Sequence, residues 1–140
     1  MVKGEVYLGG FTSANLKKGL IKGYGVYITN KRIIGVKKRG WAIAGAIIGG
    51  GVGRAIAQKM TKDLSDKTIK ELEQKKDFEA YKDQIKEIEL KKPGFMRGGH
   101  LQITLKSGEK TKIKIDGKGE FEALNIMMNA FKPEALKVIK

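Results

Sequence analysis

The sequence predicts a mainly β domain of the α+β class. An antiparallel sheet is capped by a C-terminal amphipathic helix and interrupted by a glycine-rich and helical insertion. Three observations predict it. Residues 24–29 (YGVYIT) and 32–38 (RIIGVKK) are β-branched and aromatic runs on either side of Asn30-Lys31, which is strand, tight turn, strand. The second half holds three short alternating runs, EIELK, LQITL and KIKI. Near the end, Phe121, Leu124, Met128 and Phe131 recur at helical spacing before Pro133.

Taken in order, residues 5–12 (EVYLGGFT) form a first strand bent at Gly9-Gly10. Residues 13–23 are a loop or weak strand edge carrying Lys17, Lys18 and Lys22. The hairpin follows, its turn favoured because Asn tolerates the left-handed conformation. After the glycine-rich stretch, Thr68 and Glu71 have capping-box spacing, and Ile69 and Leu72 give a narrow apolar stripe ending near Lys76. Two apolar residues bury little, so this helix is expected to be exposed or to lean on the insertion. Residues 81–85 are a turn or short helix. Ile88 and Leu90, then Leu101, Ile103 and Leu105, then Ile113 and Ile115 point inward from three strands. The final stripe of large apolar residues seals the sheet. Length suits a single domain over residues 1–140, with the insertion at about 40–77.

The insertion opens with residues 40–57, GWAIAGAIIGGGVGRAIA. Gly45, Gly49 and Gly53 would share one helix face and admit a close neighbour. Trp41 and Arg54 flank the stretch as membrane-boundary residues do. Thirteen uncharged residues run from Trp41 to Gly53, against roughly 20 for a spanning helix. Three readings stay open: packing against the domain or a second copy, membrane contact, and a glycine-rich loop.

Composition narrows the function classes. The chain is 41% apolar and 31% charged, ordinary for a globule, with no cysteine, which points to a reducing cytoplasm. The opening MVKGEVYLGG lacks an apolar run with a cleavage site, so no signal peptide is expected. The net charge is +14, and residues 1–40 carry nine Lys or Arg against Glu5 alone. Such a field attracts an anionic membrane, nucleic acid or an acidic protein. His100 is the one histidine, beside Gly98-Gly99, and reads as a loop residue. Without cysteine it cannot build a soft-ligand zinc site. No serine sits in a nucleophile elbow, and the glycines lack the Lys-Ser/Thr of a phosphate loop. No cofactor and no catalytic group are expected.

The segment VYITNKRIIGV resembles the "LTNKRLIF" strand-turn-strand signature of bacterial and archaeal PH-like and GRAM-like domains. EIELKK before the LQITL hairpin, and the last helix, resemble that family's second half. The resemblance covers about residues 5–39 and 78–131. It implies a PH-like bent antiparallel sheet, half-closed into a barrel and plugged by the last helix. It also implies a non-enzymatic module that binds phospholipid headgroups or peptides, with basic residues around the first loop contacting phosphates. Lys17, Lys18 and Lys22 occupy a comparable loop, and Lys38 and Arg39 end the third strand. Family members often oligomerise.

The leading expectation is therefore peripheral binding to an anionic membrane surface, at the inner face of the cytoplasmic membrane. A homo-oligomeric protein-interaction scaffold built on Gly45, Gly49 and Gly53 is the alternative. Nucleic-acid binding ranks third, because its stacking platform would need Tyr7, Tyr24 or Tyr27 exposed among the lysines.

Overall fold

The computed structural model describes residues 4–37, 61–94 and 97–140. Eight strands, β1 (Tyr7–Lys18), β2 (Ile21–Thr29), β3 (Arg32–Lys37), β4 (Lys76–Tyr81), β5 (Ile85–Lys91), β6 (Gly99–Leu105), β7 (Lys110–Ile115) and β8 (Leu136–Ile139), form one sheet. Two helices, α1 (Lys62–Lys75) and α2 (Lys118–Phe131), complete it. The strand order is β4-β3-β2-β1-β7-β6-β5-β8. All neighbours run antiparallel except the β5–β8 pair. The mainly β, α+β architecture of the sequence reading is present.

The sheet has to curl. Strands β4 and β5 stand first and seventh in the order, about 29 Å apart in a flat sheet. Yet only a three-residue 3-10 turn, Lys82–Gln84, joins them, and four peptide units reach at most about 14 Å. The concave face collects the main core. Leu16, Tyr24, Val26 and Ile28 meet Ile88, Leu101, Ile103 and Ile113 there, and α2 adds Phe121, Leu124, Met127, Met128 and Phe131. Every member of the predicted α2 stripe is buried.

Helix α1 covers the other face of the first half of the sheet. Ile69 and Leu72, both fully buried, pack on Tyr7, Tyr27, Ile34 and Val36. The expectation of an exposed helix fails because β1–β3 bury both faces. A Cβ at Gly10 would overlap the Tyr27 ring, so glycine is what lets that ring lie against the sheet. The helix also starts earlier than its spacing suggests. Thr61 is its N-cap, accepting from Leu64 N at 3.2 Å, whereas Thr68 lies mid-helix and donates to the Leu64 carbonyl.

The turn between β2 and β3 clamps the chain's beginning. Asn30 Oδ1 accepts from Val6 N at 2.7 Å, and its Nδ2 donates to the Gly4 carbonyl at 3.0 Å. Thr29 Oγ1 accepts from the backbone N–H of Lys31 and of Arg32 and donates to Glu5 Oε2 at 2.6 Å. Glu5 takes Arg32 through two nitrogens, Nε at 2.9 Å and Nη2 at 3.2 Å. The side chains of Arg32 and Glu5 are essentially sealed from solvent. Arg32 Nη1 also meets Glu79 at 2.7 Å and Glu73 at 2.6 Å, and Lys76 bridges those two carboxylates. The Tyr81 ring stacks below the guanidinium. Burial alone would lower the Arg32 pKa; hydrogen bonds to Glu5 and Glu73 outweigh it and raise the value instead.

Removing one partner of a buried pair leaves the other charge dry and uncompensated. Arg32→Ala should therefore destabilise the protein by about 3–5 kcal/mol. Lys31→Ala, one residue away and exposed, should change stability by less than about 0.5 kcal/mol. Urea unfolding of both variants checks this, and an Arg32→Ala loss below about 1 kcal/mol would overturn the assignment.

Candidate functional site

Of the two alternatives for this stretch, loop or weak strand edge, residues 13–18 are strand, the end of β1, and they place the predicted lysines on a hairpin. Lys17 pairs with Lys22 and Lys18 with Ile21 across β1 and β2. Gly19-Leu20 makes the turn, with Gly19 at φ +59°. A register shift between Ser13 and Lys17 bends β1, so that its end pairs with β7 through Leu16–Ile115 and Lys17–Lys114. Gly23, at φ +85°, resets the alternation of β2. Ile21 and Tyr24 thereby both pack on the concave core, and Lys22 is exposed.

At the tip Leu20 is fully exposed. It is a large apolar side chain in a turn where a polar residue would suffice, and Lys17, Lys18 and Lys22 flank it. Sequence reading passed over Leu20, although the pattern KKGLIK carries the signal of a lone apolar pair among lysines.

The lysines are not equivalent. Lys17 meets Asp116 at 2.7 Å, with both side chains more than a third exposed, a pairing of little energetic consequence. Lys18 is held more firmly. Its Nζ reaches Asp77 Oδ2 at 2.7 Å and sits 5.7 Å from the centroid of the Phe78 ring. Tyr24 Oη donates to the same carboxylate oxygen at 2.7 Å and stacks on Phe78. Lys37 approaches from β3, at 3.9 Å. Asp77 is the extra residue of a bulge, since Gly35 pairs with Phe78 and Val36 with Lys76; that bulge aims its carboxylate at the hairpin. Burial would raise the Asp77 pKa, but the hydrogen bonds from Lys18 and Tyr24 and the charges of Lys18 and Lys37 lower it overall. Burial, then the Asp77 contact, pushes the Tyr24 hydroxyl well above its usual value and keeps it a donor.

The other predicted positions divide cleanly. Lys38, Arg39, Trp41, Gly45, Gly49, Gly53 and Arg54 lie outside the described residues. The chain enters that segment from Lys37, whose Cα partner is Tyr24, close to the hairpin. Tyr7, Tyr24 and Tyr27 are buried, so none supplies an exposed stacking surface. His100 is not a loop residue; it belongs to β6 and its Nε2 contacts Glu89 of β5. Among the described residues, no three His, Asp or Glu side chains gather as a metal site.

A separate cavity of about 430 Å³ opens beside the β2–β3 turn, among Lys31, Tyr81, Lys82, Lys132 and Glu134. Lys132 Nζ there donates to the Lys82 and Ile85 carbonyls and braces the β4–β5 link. That commits it to the fold.

Asp77→Asn should cost about 1–2 kcal/mol of stability at neutral pH by breaking the Lys18–Asp77–Tyr24 brace. A carboxyl with a lowered folded-state pKa stabilises fully above its ordinary value of 3.8 and loses that contribution as pH falls through the folded value. The gap between wild type and variant should therefore narrow as pH falls below 3.8; a gap in urea unfolding that does not narrow would refute the carboxylate's role. Comparison with protein-family models, with curated proteins and with solved structures finds no match, so the hairpin is interpreted from its own chemistry.

Proposed function

We propose that this protein is a non-enzymatic PH-like module that attaches peripherally to an anionic membrane surface through the β1–β2 hairpin. The observation that carries the reading is the fully exposed Leu20 at a hairpin turn flanked by Lys17, Lys18 and Lys22. Each half of that arrangement has a physical task. The ammonium groups of Lys17 and Lys22 are drawn to anionic headgroups, at roughly 1 kcal/mol per lysine close to the surface, while Lys18 is held by Asp77. The leucine then passes below the headgroups and leaves water, which favours attachment by roughly tenfold or more.

At the base of the turn Asp77 ties Lys18 of β1 to Tyr24 of β2. Among the described residues no helix is long and apolar enough to cross a membrane; attachment by a charged tip with an apolar point requires none. The PH-like resemblance supports the same assignment, because its first strand-connecting loop is the region that faces phosphates. A curled antiparallel sheet with a helix sealing its concave side is compatible with that fold.

Co-sedimentation with phosphatidylserine-containing vesicles tests the proposal. Leu20→Ser should weaken binding about tenfold with little change in its salt dependence. Lys17→Glu/Lys22→Glu should weaken it at least tenfold at low salt and flatten the salt dependence. Binding that survives both changes would refute the hairpin as the attachment point.

A further inference from the structure

The strand registers create a feature that the sequence hides. Lys22 pairs with Lys17, Lys17 with Lys114, Lys114 with His100, and His100 with Lys91. Directly paired residues project from the same face of a sheet. Five basic side chains therefore stand in one row across β2, β1, β7, β6 and β5, about 19 Å long at the usual strand spacing.

Two residues along the strands, a second row runs Lys112–Gln102–Glu89–Lys137. The alternation of KTKIKI sends Ile113 and Ile115 into the core and Lys110, Lys112 and Lys114 outward. This face belongs to the half of the sheet that α1 does not cover: α1 packs on Tyr7, Tyr27, Ile34 and Val36. Across the two rows six lysines face Asp116, which pairs with Lys17, and Glu89, which contacts His100. Glu89 is held below its usual value, first by its hydrogen bond to His100 and also by the charges of His100, Lys137 and Lys112. The face keeps a clear positive excess.

We infer that the Lys22–Lys17–Lys114–His100–Lys91 row is an extended docking strip, on the convex side of the sheet, for an anionic lipid bilayer, which the protein reads as charge density rather than as one headgroup. The inference rests on the membrane reading above and extends it from a point to a strip. Charge complementarity commits the face to this occupant. Lysines are flexible point charges, suited to a laterally mobile layer of headgroups. The row and its neighbour carry no Phe, Tyr or Trp, and the one imidazole, His100, is largely covered and held by Glu89, so a single strand of nucleic acid would find charge but little to stack on. The row also ends at Lys22, two residues from Leu20, so tip and row are neighbours.

The test uses the full chain and vesicles of phosphatidylcholine mixed with phosphatidylserine, phosphatidylglycerol or a phosphoinositide at matched surface charge. Lys91→Glu/Lys114→Glu should bind all three at least about tenfold more weakly than wild type. Lys67→Glu/Lys70→Glu, the same charge change on exposed positions of α1, should stay within about threefold. Thermal unfolding checks that each variant is folded, and Lys91→Gln/Lys114→Gln replaces the double reversal if it is not. Wild-type binding that follows surface charge and falls with the row variants supports the inference. Row variants that bind like wild type while Leu20→Ser does not would overturn the strip and leave the tip standing. Strong preference for the phosphoinositide at matched charge would overturn the charge-density reading. Wild type that ignores all vesicles but holds single-stranded DNA at physiological salt would overturn both.

Discussion

The buried guanidinium of Arg32 is the constraint on which much of the architecture depends. It touches Glu5 before β1, Glu73 at the end of α1 and Glu79 in β4, from its own place at the start of β3. Four separate pieces of chain are fixed by one side chain. Buried ion pairs are not strongly stabilising in themselves, because desolvation offsets most of the attraction. Their effect here is geometric: Arg32 and Lys76 together hold three carboxylates in one arrangement. The Thr29–Arg32 turn that carries the PH-like resemblance thus performs a structural task in this chain, through the side chains of Thr29, Asn30 and Arg32.

That staple matters for the site because of what it does to the sheet. With β4 fixed against β3 and a three-residue turn leading from β4, first in the order, to β5, seventh, the sheet must curl around the core. The curl divides the convex side. Over β1–β3 the apolar patch of Tyr7, Tyr27, Ile34 and Val36 demands a cover, and α1 supplies it. Over β5–β7 the outward residues are Lys, His, Gln, Thr and Glu, which demand no apolar cover. Among the described residues, neither helix packs its apolar stripe on that basic face.

How much of this is legible in the sequence follows from how local each interaction is. The Asn30-Lys31 turn, the three alternating strands of the second half and the α2 stripe each rest on neighbouring residues, and each stands where periodicity puts it. Three features escape. The bend that keeps residues 13–18 in β1 depends on pairing with β7 about a hundred residues away. Strand β4 is a charged edge, KDFEAY, whose alternation is broken by the bulge at Asp77. Strand β8 is four residues long and runs parallel to β5, a pairing that no short-range pattern announces. For the site, the lysines of the hairpin are visible as a charge run, but their partners are not. Asp77 lies 59 residues from Lys18, and the row across five strands exists only once the register is known.

Charge alone would make a poor argument for any partner, since a chain with net charge +14 needs most of its lysines simply hydrated. What separates these lysines from the rest is arrangement. Those of the rows stand side by side at strand spacing, close enough for mutual repulsion, a small cost the fold accepts without placing a carboxylate between each pair. Asp116 and Glu89 answer only part of it. An anionic surface relieves that repulsion all at once, so the gain on docking exceeds the sum of isolated lysines at the same distance. The tip adds an attraction of another kind, one that salt does not screen. In the proposed attachment the two are linked through Lys17 and Lys22 of the hairpin, so each raises the effective concentration of the other and neither needs to be strong alone.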